Sequence, residues 1–174
     1  SSTQSLVSAG GRNFYVTQNV VKNVGRDQMH QFLVARDAFN GLLLWQRQWT
    51  GPFVTGSGET NPRLVASGKY VYIVDDGHVL ALDAQTGMTR FRWETAEDPD
   101  KLIHVGHTIL VQWPGGLTAL DDRLKEVIWT FRGKTTHGTA SVDDQVFCLV
   151  SGRSKDGNFK HELVGINLSD GEIA

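Results

Sequence analysis

One cysteine, Cys148, is all the chain has, so no internal disulfide and no cysteine-based zinc cluster can form within it. It sits in the apolar run VFCLV, where a buried, inert thiol is expected rather than a nucleophile. No apolar stretch approaches the roughly 18 residues that span a bilayer as a helix, which argues against a membrane span. A basic field is missing as well: the net charge is -2 and the pI near 6.3, which argues against nucleic acid as a partner. SSTQSLVSAGG, at the start, has neither the basic flank nor the apolar core of a secretory leader. No segment carries a sustained apolar stripe at helical spacing, so helices of any length are not expected.

What the chain does have is a phrase that recurs. Around Asp83 it reads LALDAQTG, and the same pattern returns as LVARDAFNG at Asp37, LTALDDRLK at Asp121 and LVGINLSDG at Asn167. The intervals between these anchors are 46, 38 and 46 residues. Four positions after each anchor stand Gly41, Gly87, Lys125 and Gly171, and eight positions after stand Trp45, Phe91 and Trp129. Each anchor follows a short apolar run, a tight turn (Gly10-Gly11, Ser67-Gly68, Val105-Gly106, Asp143-Asp144) and a longer apolar run: NFYVTQ, YVYIVD, TILVQW or QVFCLV. Internal periodicity of this kind fixes an architecture before any other reading.

Each unit reads as four strands, short, rich in Val, Ile, Leu and aromatics, and punctuated by Gly, Asp and Asn. Asp76-Gly77 suits a two-residue hairpin, because both central residues of a type I′ turn need positive φ. Parallel α/β units are excluded, since the crossover helices they require are absent. Four-stranded units repeating at roughly 40 residues are the pattern of a β-propeller, with the fourth-strand aromatic packing between neighbouring blades. The expected fold is all-β: a propeller segment of about four antiparallel blades, over residues 6–49, 63–94, 101–132 and 138–174, forming an incomplete ring.

LALDAQTGMTRFRW and LVARDAFNGLLLWQRQW resemble the pyrroloquinoline-quinone-type repeat: an apolar pair, Ala-Leu-Asp, a Thr-Gly turn and a Trp strand. The resemblance runs from about Leu6 to Ala174 and points to the quinoprotein-like propeller superfamily. That superfamily holds quinone-dependent alcohol and sugar dehydrogenases, and also non-enzymatic propellers such as the lipoprotein scaffold of outer-membrane barrel assembly. Its dehydrogenases have about eight blades, a calcium-bound quinone and adjacent cysteines. This chain has half the blades and one cysteine, so the resemblance carries over no catalytic residue, metal ligand or cofactor. The expected function is that of a non-catalytic scaffold binding a protein partner or ligand within a longer, exported protein. The alternative is a fragment of a dehydrogenase using pyrroloquinoline quinone with calcium. Lys125 in place of the turn glycine suggests decay of the third repeat.

The chain opens directly on a first-strand pattern and stops at GEIA, inside the fourth strand of the last unit. A piece of a longer protein is therefore expected, with an open apolar edge that invites self-association.

Loops on one rim of such a fold are the candidate binding surface. NVVKNVGRDQMH (residues 19–30), TGPFVTGSGETNP (50–62) and SGRSKDGNFKH (151–161) are the enlarged ones. Lys22, Arg26, His30, Arg153, Lys155 and Lys160 lend them a positive lean, and Trp113, before Pro114-Gly115, is expected to stand out at a loop as a stacking platform. Other motifs read as structural. GSGETN lacks the strand, helix and Lys of a phosphate loop. His104 and His107 flank a turn with no third ligand in sequence. Asp75-Asp76, Asp121-Asp122 and Asp143-Asp144 fall at hairpin turns, where Asp bonds local amides. No Gly-x-Ser-x-Gly elbow is present, and the sequon Asn167-Leu168-Ser169 is the repeat's own anchor turn.

Overall fold

The structure is a computed structural model. It describes residues 3–23, 26–50, 63–153 and 159–174, with side chains in those ranges except at 3–5, 19–23, 26–29, 136, 137, 153 and 159. The chain divides into two compact units, Ser1–Glu94 and Thr95–Ala174.

The first unit holds two blades, each a four-stranded antiparallel meander. Blade 1 is β1 (Thr3–Ala9), β2 (Arg12–Asn23), β3 (Arg26–Asp37) and β4 (Leu43–Trp49). Blade 2 is β5 (Leu64–Ala66), β6 (Tyr70–Asp75), β7 (His78–Asp83) and β8 (Thr89–Glu94). In the second unit, blade 3 is β9 (Lys101–Val105), β10 (Thr108–Trp113), β11 (Gly116–Asp121) and β12 (Val127–Arg132). Blade 4 is the three-stranded sheet β13 (Thr135–Val142), β14 (Gln145–Arg153) and β15 (Phe159–Asn167). Beside β15 runs the start of a fourth strand: Ile173 bridges Ile166, and the Ala174 amide donates to the Gly165 carbonyl at 2.9 Å.

Sequence chemistry accounts for the sheet pattern. The central strands β6, β7, β10 and β11 are buried on both faces over nearly their whole length, which is why they read as continuous apolar runs. The outer strands β8 and β12 alternate between exposed and covered positions. Hairpin geometry follows the turn residues. Asp76 and Gly77 take φ of 47° and 72°, and Gly10 and Gly11 take 56° and 72°, the positive pair a type I′ turn requires. The turn after β9 lies one residue later than the sequence suggests, at Gly106-His107, with Val105 paired to Thr108.

The repeat register is kept to the residue. Trp45 pairs with Ala35, Phe91 with Ala81 and Trp129 with Ala119, each alanine two positions before its anchor. A bulge follows each of these pairs, at Ala35/Arg36, Ala81/Leu82 and Ala119/Leu120. The extra residue re-aims the aromatic and increases local twist, and the small partner leaves room for the ring. In the first unit Trp45 and Trp49 join Phe14, Val16, Leu33 and Ala35 against Leu64, Val71, Ile73, Leu80, Leu82 and Ala84 of blade 2. In the second, Leu110, Leu117, Ala119 and Trp129 of blade 3 meet Val146, Cys148 and Ile166 of blade 4.

Two expected loops are instead strand. Residues 19–23 and 26–30 pair without interruption out to Asn23↔Arg26, so the segment read as a long loop is a hairpin ribbon. Residues 151–153 and 159–161 likewise extend the β14–β15 hairpin, with Arg153 opposite Phe159. Their polar composition suggested loop. A ribbon projecting beyond its blade has no core to face, so its side chains need not alternate apolar and polar, although its backbone pairs as well as any other.

Candidate functional site

The fourth strands of blades 1 and 3 each join their blade to the one that follows, and two tryptophans do this in the same way. The Trp45 indole lies over Gly87 and donates through Nε1 to the Ala84 carbonyl at 3.0 Å. Trp129 lies over Gly171 and donates to the Leu168 carbonyl at 2.7 Å. Each seat is the Asp/Asn-to-Gly turn of the following repeat, whose glycine has φ near that of a left-handed helix, 70° at Gly87 and 78° at Gly171. Further bonds tie blade 1 to blade 2: Trp49 Nε1 to the Val74 carbonyl at 2.8 Å, Thr50 Oγ1 to Asp75 Oδ1 at 2.6 Å, and Arg47 Nη1 to the Gly87 carbonyl at 3.2 Å. Blades 3 and 4 are joined by Lys101 Nζ to the Thr139 carbonyl at 3.1 Å and Thr139 Oγ1 to Gln112 Oε1 at 2.7 Å.

Anchoring carboxylates serve these turns. Asp37 Oδ1 accepts from the amides of Phe39 and Asn40 at 2.9 and 3.1 Å, and Asp83 Oδ1 accepts from Gln85 and Thr86, both at 3.0 Å. Burial is the largest single influence and raises the Asp83 carboxyl, but the two amides, the Arg90 guanidinium at 3.2 Å and the Thr86 side chain together outweigh it and hold the group below its ordinary value. Asp121 Oδ1 bonds the amides of Lys125 and Glu126 at 2.6 and 2.9 Å. Its turn closes one residue earlier, Leu124 N to Asp121 O at 2.9 Å, and Leu124 takes the positive φ of 55°. The third repeat is thus rebuilt rather than decayed: with Lys125 where a glycine stands elsewhere, the left-handed residue moves forward by one.

Of the sequence-predicted rim, His30 stands half-buried on β3 with Nδ1 3.1 Å from Gln48 Nε2. Lys160 is exposed on β15 and pairs with Glu162 at 3.5 Å. Trp113 does not stand out as a platform. Its ring folds back over its own hairpin, donating to Thr118 Oγ1 at 3.2 Å, and a methyl group at Gly115 would fall 2.0 Å from Cζ3. Glycines at 115 and 116 leave the ring space to lie flat, so it is half-buried. His30, Lys160 and Trp113 therefore each bond within their own blade. The side chains of Lys22, Arg26 and Arg153, all of Lys155 and the GSGETN segment lie outside the described residues.

Among the described residues, no group of three or more His, Cys, Asp or Glu is placed to hold a metal ion. His107 Nδ1 faces Asp122 at 3.4 Å. Burial lowers the His104 imidazole, against the pull of Asp122, with His107 lowering it further. Burial pushes the Cys148 thiol up, so it is a poor nucleophile.

Sequence reading missed a surface that alternation alone should have flagged. At the start of β4, Leu43 and Leu44 are 52% and 41% exposed, and at the start of β12, Val127 and Ile128 are 52% and 43% exposed. These pairs occupy matching places, immediately before Trp45 and Trp129. Consecutive apolar residues in an outer strand must put one side chain on the outward face, and the runs LLL and VI were the available signal.

Strand order, repeat register and tryptophan seating together define a propeller of pyrroloquinoline-quinone-type repeats. The chain belongs to the family described as outer membrane protein assembly factor BamB, which matches it over residues 3–102 and again over 29–174. Solved structures share the fold at low identity. BamB from Moraxella catarrhalis is 18% identical with a TM-score of 0.56, over 98% of this chain and 60% of that one. The HIRA fragment 644–1017 is 12% identical with a TM-score of 0.59, over 99% and 51%. Glutaminyl cyclase from Myxococcus xanthus is 13% identical with a TM-score of 0.52, over 98% and 68%. The chain thus spans about 60% of the Moraxella BamB chain. No curated protein matches it in sequence. No helix among the described residues is long and apolar enough to cross a membrane.

Proposed function

We propose that the chain is a non-catalytic propeller scaffold that docks a protein partner on its outer strands, within a longer, exported protein of the cell envelope. The observation that carries this reading is the repeated exposed pair, Leu43-Leu44 and Val127-Ile128, on strands otherwise fixed by Trp45 and Trp129. Exposed apolar side chains on a rigid sheet, bordered by polar neighbours such as Gln46 and Thr130, have the make-up of a protein-binding patch. Family membership agrees with both the scaffold role and the export, since the family is described by an outer-membrane assembly factor. Fold likeness alone does not choose between roles, because the glutaminyl cyclase shares it.

A photoreactive amino acid at position 44 or 128, in the full-length protein in cells, should cross-link one defined protein, and Leu43→Lys or Val127→Lys should abolish the product. Cross-linking that stays diffuse, or that ignores both lysine substitutions, removes the outer strands as the docking face. Titration with pyrroloquinoline quinone and calcium addresses the dehydrogenase alternative. A stoichiometric absorbance change with dye-linked alcohol oxidation would replace the scaffold reading with an enzymatic one.

A further inference from the structure

The sequence contains a single Asn-Gly pair, Asn40-Gly41, and it falls in the turn that carries β3 into β4. Asparagine before glycine is the pair best able to react with itself, because a glycine nitrogen is not hindered by a Cβ. Here the asparagine side chain is held in place. Asn40 Oδ1 accepts from the Leu42 amide at 2.9 Å, which folds the carboxamide back along the main chain toward the Gly41 nitrogen. Asp37 Oδ1 fixes the start of the turn by accepting from the amides of Phe39 and Asn40 at 2.9 and 3.1 Å. Arg36, held through Nε to the Tyr15 hydroxyl at 2.8 Å, donates through Nη1 to the Gly41 carbonyl at 2.7 Å. A cation therefore stands close to the nitrogen that would lose a proton.

Cover is lacking as well. Asn40 and Gly41 are exposed, and among the described residues nothing lies within 4 Å of where a side chain at Gly41 would begin. The matching turn of blade 4 has a similar pair, Asp170-Gly171, with Asp170 Oδ1 accepting from the Glu172 amide at 2.9 Å, but Trp129 lies over its glycine. There a carboxylate also replaces the amide, and in its ionised form it is a poor electrophile.

We propose that Asn40 is a site of spontaneous covalent modification, at which the Gly41 nitrogen attacks the Asn40 side-chain amide and the turn converts to aspartate and isoaspartate. The Gly41 N–H gives its proton to hydroxide and the nitrogen bonds to Cγ of Asn40. The Cγ–Nδ2 bond then breaks, and the side-chain nitrogen takes up a proton and leaves as ammonia. Water opens the resulting succinimide at either carbonyl: at Cγ it yields aspartate, and at the main-chain carbon isoaspartate, whose chain runs through Cβ and Cγ. The net change consumes one water and releases one ammonia, with nothing oxidised or reduced. Negative charge builds on Oδ1 as the nitrogen adds, and the Leu42 amide is already bonded to that oxygen, as a donor in an oxyanion hole is. The opposing interaction is the bond from the Gly41 amide to the Asp37 carbonyl, 3.0 Å, which must open first; in an exposed turn without cover that opening is local. The product carries a new negative charge at the head of β4, and its isoaspartate form has an extra main-chain carbon in the turn. The reaction needs no partner and does not rest on docking at the outer strands.

Trypsin releases the site as DAFNGLLLWQR, residues 37–47. Held in mildly alkaline buffer and sampled over time, the intact protein should show this peptide gaining about 1 Da and separating into aspartate and isoaspartate forms. Isoaspartate arises only through the ring, so it reports attack by Gly41. Conversion in the native protein should run within about tenfold of the rate in the same protein unfolded in urea, because the fold leaves the glycine open and the amide polarised. Asn40→Gln lengthens the side chain by one methylene, disfavours ring closure and should abolish the mass gain. A native rate more than about tenfold below the urea rate overturns the proposal, since the bond to Asp37 then seals the turn. Aspartate as the sole product, or a mass gain at this peptide that persists in Asn40→Gln, overturns it as well.

Discussion

Trp45 and Gly87 are in such close contact that a methyl group on the glycine would stand 2.7 Å from both Cδ2 and Cε3 of the indole. This contact joins two repeats, and the same one recurs between Trp129 and Gly171. The glycine is needed twice over, for its φ of 70° and for the absence of Cβ. Gly87→Ala should therefore lose about 2–4 kcal/mol, left-handed strain plus overpacking. Gly77→Ala, with φ of 72° and open space, should lose only the strain, about 1–2 kcal/mol. Urea midpoints of the two variants measure the difference, and equal losses would show that the indole moves aside freely.

The indole nitrogen contributes separately from the ring. Trp129→Phe keeps most of the apolar contact but leaves the Leu168 carbonyl without its 2.7 Å donor. It should cost about 1–3 kcal/mol, the penalty of an unmet, partly buried acceptor plus some lost area. The chain already holds a phenylalanine at this register: Phe91 meets Tyr70 edge-on at 5.6 Å. If the cost arises from the hydrogen bond, Trp129→Phe should be destabilised in urea well beyond the loss expected from the removed ring area.

These seats explain which features could be read in advance. The positions of Trp45, Phe91 and Trp129 relative to their anchors are covalent facts of the repeat, and the sheet preserves them, down to the alanine each one faces. Strand against loop at residues 19–30 was not legible, because backbone pairing in a ribbon leaves no apolar alternation in the sequence. Trp113 misled for a related reason. Pro-Gly-Gly after a tryptophan announces a turn, but only the fold shows that the glycines make room for the ring to fold back. The exposed pairs Leu43-Leu44 and Val127-Ile128 are visible as runs, but a run alone does not say which neighbour points outward.

Two groups make stability depend on pH between neutrality and acid. His104 is held below its ordinary value mainly by burial, so its folded pKa lies under its unfolded one. Its contribution is complete above about pH 6.5 and is lost as pH falls through the folded value. Asp83, also depressed, behaves the same way lower down, losing its contribution below about pH 4. Thermal midpoints should fall from pH 7.5 to 5.5 in the native sequence and fall less in His104→Gln. Asp83→Asn, which keeps an acceptor for the Gln85 and Thr86 amides, should flatten the curve only below about pH 4. A His104→Gln profile parallel to the native one would assign the upper limb to other groups.

Gln31 offers the reverse case, a substitution expected to stabilise. It lies on β3 between Gln18 and Trp49, 2% exposed, and neither Oε1 nor Nε2 has a hydrogen-bond partner among the described residues. With both ends unmet among the described residues, a buried amide carries a desolvation cost that its apolar contacts do not repay. Methionine has nearly the same length and shape without the polar ends, so Gln31→Met should raise stability by about 1–2 kcal/mol in urea denaturation. Gln31→Ala should lower it, because the side chain still fills space in the blade. If Gln31→Met were destabilising instead, the amide would have to be engaged in solution, and the carbonyls nearest β3 would be the first place to look for its partner.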